Sequence, residues 1–336
     1  MAGRLAFFLL PAIALAQDVI EADEASPGTQ VSPGQHVYTT APMSQERYSS
    51  GMHASGAGET TLWVMMGTVF LGYMALMCIM MLSCLWGPRV QAAPFQRFPD
   101  MEASQQDMYK NTAVADLDAM WRKAFVGKVY GLLCLQILLT LVIVVAMMQG
   151  GYGFYAWALT DGAWTRGVAL ISTFVLIISM MCFKNAYPMN LILLFSFTAC
   201  MAYTIGITCS GFAANGMLNL VVEAFAITSL IFIALTIFTM QSKIDFSFLG
   251  MVLPICLFSF MIWGFFAVFA FPSFAFSQVY ALIGVILFSL YVLYDTHAIT
   301  TYLCYDDYVL GAINLYLDFV NLFLFILQLL TSCRTE

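Results

Sequence analysis

Two aspartates, Asp295 and Asp318, lie within long apolar stretches near the C-terminus of the chain. An ionisable side chain is costly at the depth of a bilayer, so carboxylates in such stretches usually face a protein interior or a water path. Both residues are equally far from the middle of the acidic turn at Asp306 and Asp307. If the two stretches form an antiparallel helical hairpin about that turn, the carboxylates lie at matching depth.

Two carboxylates that are close together in a low dielectric cannot both ionise cheaply, so they titrate as a unit. When protonated they can share a hydrogen bond that holds two helices together. When ionised they repel each other, attract a cation or pair with a basic group, for which Lys184 is the nearest candidate by topology. The sequence therefore predicts a proton sensor and gate at Asp295 and Asp318, with transient cation binding there. The alternative is that each aspartate only hydrogen-bonds a neighbouring helix or loop.

A stripe of polar residues runs along the last apolar stretch. Asn314, Asp318, Asn321 and Gln328 recur at intervals of four, three and seven residues, which places them on one helical face. Asn314 and Asn321 are therefore candidates for an ion path beside Asp318. Glu223, the other acidic residue well inside an apolar stretch, is either a second station on that path or a locally paired carboxylate.

The composition identifies the class of protein. Hydrophobic residues make up 62% of the chain and charged residues 9%, whereas soluble domains carry about 25% charged residues. The predicted fold is an all-α polytopic membrane protein, whose lipid contacts are extensive. The predicted spans are 62–86, 127–149, 166–183, 190–209, 216–240, 248–270, 277–302 and 311–331.

Several classes of function find no support in the sequence. The twelve basic residues form no cluster, which argues against nucleic-acid binding. The nine cysteines show no CxxC or Cys/His metal spacing, so no resident metal is expected. No nucleophile–base constellation or glycine-rich phosphate loop is present, so we expect neither an enzyme nor a cofactor.

The N-terminal part divides into four segments by composition. Residues 1–16 have the shape of a secretory signal peptide, the alternatives being an uncleaved anchor or an interfacial helix. Residues 17–60 predict a disordered acidic arm, 61–87 an extra transmembrane helix and 88–120 a cytosolic linker, ending in a short surface helix near Trp121. Basic residues near the span ends place the Asp306–Asp307 turn in the cytosol.

Four ordered segments carry a resemblance to a known family. They are RKAFVGKVYGLLCLQ at 122–136, YPMNLILLFSFT at 187–198, AFAITSLIFIALTIFTMQSKIDF at 224–246, and a last segment at 294–330 that starts YDTHAI and ends in LYLDFVNLFLFILQLL. From about Trp121 to Leu330 the chain resembles the transmembrane Bax-inhibitor-motif family. Its lifeguard branch, near the Golgi anti-apoptotic proteins, is the most similar part of that family.

The resemblance implies a seven-helix bundle over 121–336 with a central, apolar last helix. It also implies a calcium or cation leak from an internal store, gated by protonation of an aspartate pair that falls on Asp295 and Asp318, and suppression of cell death. An endomembrane such as the ER or Golgi is the expected location, with a mitochondrial or plastid membrane as the alternative.

His297, near a helix end, is expected to be an ordinary histidine with its hydrogen bonds satisfied.

The sequence departs from the family pattern in three places. Met201 stands where the family commonly has an acidic residue, and Glu223 on the next helix is a candidate replacement. Lys184 stands where Arg is common, and lysine cannot form the bidentate pair that arginine forms with a carboxylate. The signal-like segment and the extra span at 62–86 are additions to the pattern. The extra span, the acidic N-terminal arm and the missing carboxylate at Met201 favour an alternative function, a non-conducting scaffold or subunit with membrane-protein partners.

Overall fold

The computed structural model describes residues 119–183, 186–270, 278–304 and 307–334. The predicted signal peptide, acidic arm and extra transmembrane helix lie outside the described residues, as do the linker up to residue 118 and Lys184. The helices described below belong to one compact unit of the chain.

The described residues form eight helices. They are α1 Ala119–Met148, α2 Gly151–Leu159, α3 Ala163–Cys182, α4 Met189–Ala214, α5 Leu218–Gln241, α6 Leu249–Ala270, α7 Gln278–Thr301 and α8 Tyr308–Arg334. Six of them are long and apolar enough to cross a membrane, and α6 contributes a shorter apolar helix over Leu249–Gly264. The chain is therefore a helical bundle of a polytopic membrane protein, as its composition predicts.

Each predicted span from 127 onward corresponds to a helix of the structure, with two differences in detail. The first helix begins at Ala119, so the described part of the predicted surface helix is the first turn of α1. Nothing between Ala119 and Lys123 breaks a helix, which explains the continuity. The nine-residue α2 was not predicted; it begins at Gly151, whose φ of +61° lets the chain turn directly after α1.

The last helix, α8, lies at the centre of the bundle. In its most apolar stretch 89% of the residues are buried inside the protein, against 17% for α1. It packs most extensively against α7, α5 and α1. A membrane-spanning helix that carries carboxylate and amide side chains needs protein rather than lipid around those groups, so the polar residues of α8 and its central place agree.

The packing of α7 against α8 sets the register of the two helices. A Cβ atom at Gly284 would lie 2.5 Å from the Phe325 ring, so only glycine lets this ring reach the α7 backbone. One turn along α7, Phe288 stacks on the same ring with centroids 5.7 Å apart. Towards the other end of the hairpin, a Cβ at Gly311 would lie 3.3 Å from Ile299. The two helices are thus antiparallel, with contact near both ends.

We expect Gly284→Leu to destabilise the bundle, because the added side chain needs the space that Phe325 fills. Overpacking of this kind costs about 1–3 kcal/mol, which lowers the unfolding temperature measured in detergent. The control is Gly131→Leu on α1, where an added Cβ meets nothing within 4 Å. Equal unfolding temperatures for both variants would show that the α7–α8 contact does not set the stability.

Candidate functional site

The aspartate pair, Asp295 on α7 and Asp318 on α8, lies inside the bundle. Asp295 is 3% exposed and Asp318 is fully buried. Asp295 follows Phe288 by seven residues, and Asp318 precedes Phe325 by seven. Seven residues are about two helical turns, so each aspartate lies on the same helix face as its aromatic ring. Since the two rings stack, the carboxylates lie on facing sides of α7 and α8 at the same level.

The other polar residues of the predicted stripe lie before and after Asp318 along α8. Asn321 is fully buried, and its side-chain amide donates a hydrogen bond to the Leu317 carbonyl at 2.7 Å. Asn314 is partly buried, one turn before Asp318, and Gln328 is 1% exposed near the far end of the helix. The stripe therefore faces the protein interior.

An aromatic cluster fills the space between α6, α7 and α8 beyond the aspartate pair. It consists of Phe260, Tyr280, Phe288 and Phe325. Phe260 and Tyr280 stack with centroids 4.5 Å apart, and Phe325 lies 5.8 Å from Phe260 and 6.1 Å from Tyr280. These rings are all buried. The aromatic cluster therefore fills this interface on the Arg334 side of the aspartates. The opposite end of α8, at Tyr308, is called the Tyr308 end.

A hydrogen-bonded group ties the loop between α5 and α6 to the Tyr308 end of α7. The Asp245 carboxylate lies 3.1 Å from His297 Nε2 and accepts from the Tyr302 hydroxyl at 3.4 Å and from the Ser247 backbone N–H at 2.9 Å. The His297 side chain is 14% exposed and packs edge-on against Phe246. His297 is satisfied, as expected, and it lies only two residues from Asp295.

The neighbours of Asp245 favour the ionised form of its carboxyl group. Hydrogen bonds from Ser247, and after them the contact with His297, hold the pKa of the Asp245 carboxyl below its ordinary value. A lowered pKa in the folded protein means that the contact is fully present near neutral pH and is lost only as the pH falls through the lowered value. The loop is therefore held in place across the physiological pH range.

A second group of contacts joins α1, α4 and α8 at the Tyr308 end. The Lys128 ammonium lies 5.7 Å from the centre of the Tyr308 ring. The Asn190 side chain donates to the Tyr308 hydroxyl at 3.4 Å. Nearby, the hydroxyls of Tyr130 on α1 and Thr296 on α7 lie 3.4 Å apart. Lys128 is thus a basic residue at this end within the described part of the chain. Lys184, the predicted basic partner of the aspartate pair, lies outside it.

Glu223 is not brought together with the aspartate pair. Its carboxylate lies 3.8 Å from the Arg334 guanidinium, and both side chains are about half-exposed. Arg334 is sixteen residues after Asp318, or about 24 Å along the helix at a rise of 1.5 Å per residue. Of the two alternatives drawn from the sequence, this position corresponds to a locally paired carboxylate. Met201 is buried on α4.

The sequence analysis missed Asp245 because a carboxylate in a loop carries no cost of burial in the bilayer, and such a cost is what singles out Asp295 and Asp318. Within the described residues, no group of three or more His, Cys, Asp or Glu side chains is placed to hold a metal ion. A cation at the aspartate pair would therefore have two carboxylates and neighbouring neutral oxygens as ligands.

Comparisons with known proteins agree on one family. The profile described as "Inhibitor of apoptosis-promoting Bax1" matches residues 122–335. Bax inhibitor 1 of Schizosaccharomyces pombe is 34% identical over 229 residues, which is 67% of this chain and 82% of the relative. The Golgi anti-apoptotic protein of vaccinia virus (strain Lister) is 34% identical over 227 residues, 67% and 92% of the two chains. Protein lifeguard 4 of Mus musculus is 34% identical over 237 residues, 69% and 94%.

We expect Asp245→Ala to loosen the loop between α5 and α6, because three hydrogen bonds to the carboxylate are lost. The measurement is the rate of trypsin cleavage after the exposed Lys243, which should rise several-fold. Asp161→Ala, in the exposed turn before α3, is the control, and a cleavage rate that matches this control would contradict the assignment.

Proposed function

The chain belongs to the Bax-inhibitor family, and from this premise we propose that it is a pH-sensitive calcium or cation leak channel of an internal membrane. Asp295 and Asp318 are its proton sensor and gate. The observation that carries the proposal is a pair of buried carboxylates at one level on adjoining apolar helices. The proposed activity is passive transport, and no catalytic step is part of it.

Burial makes the charge state of the pair decisive for the packing of α7 against α8. One shared proton converts repulsion between two carboxylates into a hydrogen bond, because a protonated carboxyl donates to an ionised one. Loss of that proton leaves two negative charges that separate or bind a cation. The pH on the side of the Tyr308 end thereby sets the spacing of the two central helices.

The surroundings of the pair support a sensor with access from one side. The aromatic cluster lies beyond the aspartates, while His297, Asp245 and the start of α8 lie at the Tyr308 end. The excess of basic residues near span ends assigns this end to the cytosol. Cytosolic acidification is therefore the signal that the pair reads.

The role in the cell follows from the relatives. Their names describe a Bax inhibitor and a Golgi anti-apoptotic protein. A regulated leak lowers the calcium content of an internal store, which reduces the calcium available to trigger cell death. We place the protein in an endomembrane on the same grounds.

The test is calcium flux from vesicles that contain the purified full-length protein, measured across a pH series. We expect the wild-type flux to change across the pH series, and the change to disappear in Asp295→Asn and in Asp318→Asn, because a neutral amide cannot take up or release the proton. Asp161→Asn, an exposed carboxylate, is the matched control and should keep the wild-type pH response.

Two outcomes would overturn the proposal in different ways. An unchanged pH response in both aspartate variants would remove the pair from gating. Absence of flux from correctly folded wild-type protein would favour the alternative, a non-conducting scaffold or subunit. Gentle solubilisation followed by mass measurement then identifies that alternative by stable co-purifying subunits.

A further inference from the structure

A polar cluster lies on the side of α8 that faces away from the aspartate pair. It consists of Gln136 and Thr140 on α1, Thr198 on α4 and Tyr316 on α8. Gln136, Thr198 and Tyr316 are fully buried. Tyr316 precedes Asp318 by two residues, which is about 3 Å along the helix and more than half a turn around it. The two polar regions therefore lie at the same depth on opposite sides of α8.

Hydrogen-bond accounting fixes the roles within this cluster. The Thr198 hydroxyl donates to the Leu194 carbonyl at 2.9 Å, so its oxygen must accept from the Gln136 side-chain nitrogen at 3.0 Å. The Thr140 hydroxyl donates to the Gln136 backbone carbonyl at 2.9 Å. The Tyr316 hydroxyl, 2.8 Å from Thr140 Oγ1, is therefore the donor in that contact.

The hydroxyl protons of Thr140, Thr198 and Tyr316 are thus all in use, and the Gln136 amide uses one of its two N–H groups on Thr198. The side-chain oxygen of Gln136 is buried and accepts no hydrogen bond from any residue in the described ranges. Leaving a buried acceptor unsatisfied is unfavourable for folding. The Gln136 oxygen is therefore a favourable contact for a ligand that carries positive charge, because such a ligand supplies the partner that the oxygen lacks.

The position of the cluster connects it to the Tyr308 end. Asn190 and Tyr308, which are hydrogen-bonded there, precede Thr198 and Tyr316 by eight residues each. Eight residues are about 12 Å along a helix. The interface of α1, α4 and α8 therefore carries polar side chains at its end and again about two turns further in, whereas the interface of α6, α7 and α8 is filled by the aromatic cluster.

We propose that Gln136, Thr140, Thr198 and Tyr316 form a neutral oxygen site that stabilises the permeating cation, so that ions pass along α1, α4 and α8 while the aspartate pair senses protons on the other side of α8. This inference rests on the proposed function. A site without carboxylates holds a cation weakly, which conduction requires, since the ion must also leave. Lys128 at the Tyr308 end opposes cation access, which suits a slow leak.

The test uses the full-length protein in vesicles, with calcium and potassium flux measured separately. Gln136→Leu should lower both fluxes about tenfold, the usual effect of one lost polar contact to a charged group. Its unfolding temperature should be close to that of the wild type, because removal of the unsatisfied buried acceptor offsets the loss of the hydrogen bond to Thr198. Thr228→Val is the matched control, since Thr228 is fully buried and its hydroxyl bonds only to its own helix at the Ala224 carbonyl.

A second variant tests the chemistry of the site. Gln136→Glu adds a carboxylate, so calcium should be held more tightly and should block potassium flux at a concentration about tenfold lower than in the wild type. If Gln136→Leu fails to fold, Tyr316→Phe, which keeps the ring against Phe197, replaces it and should also lower both fluxes.

The outcomes separate this site from the channel function itself. Normal fluxes and normal calcium block in the Gln136 variants, together with loss of pH response in Asp318→Asn, would overturn the site and leave the channel standing. Lower flux with a lower unfolding temperature would show that Gln136 only supports the fold. No flux in the wild type would end both proposals at once.

Discussion

The burial of α8 on all sides is the constraint on which the rest of this bundle depends. Such a helix is in contact with other helices on every side, and it carries Asp318 and Asn321 in its buried middle. Each of these groups has to be accommodated by a neighbouring helix, since a buried polar atom without a partner is costly. The register of α7, fixed by Gly284 beneath Phe325, is the arrangement that brings Asp295 to the level of Asp318.

The same constraint explains why two different polar regions meet at one depth. A rigid helix in the centre of a bundle presents every side of itself to a neighbour, so α8 contacts α7 through Asp318 and α1 through Tyr316. Any rotation or tilt of α8 that parts the two carboxylates also moves the Tyr316 hydroxyl relative to Thr140. Because packed helices shift as units, a movement of α8 would change the surroundings of the aspartate pair and of the polar cluster together, although the two groups lie on opposite sides of the helix.

Most of the fold could be predicted from the sequence, because apolar stretches of spanning length are a local signal. The level of the aspartate pair could also be predicted, since the equal distances of Asp295 and Asp318 from the turn between them determine the register of a hairpin. The family resemblance is confirmed over residues 122–335. The gating role of the aspartates stays a prediction, and the predicted N-terminal segments lie outside the described residues.

The polar cluster could not be predicted, because its members are far apart in the chain. Gln136 and Thr198 are separated by 62 residues, and Thr140 and Tyr316 by 176. Only the packing of α1, α4 and α8 together shows that the Gln136 side chain meets the Thr198 hydroxyl and that Thr140 meets Tyr316. Asp245 was missed for a related reason, since its partner His297 is 52 residues away and neither residue is unusual in its local sequence.

The two polar regions differ in what their burial implies. A buried carboxylate can be relieved of its charge by taking up a proton, so the unfavourable burial of Asp318 depends on pH. The amide of Gln136 has no proton equilibrium in this range, and its unsatisfied acceptor is equally unfavourable at every pH. In the proposed channel one group would sense protons and another would stabilise ions, and the opposite faces of α8 keep these two groups apart.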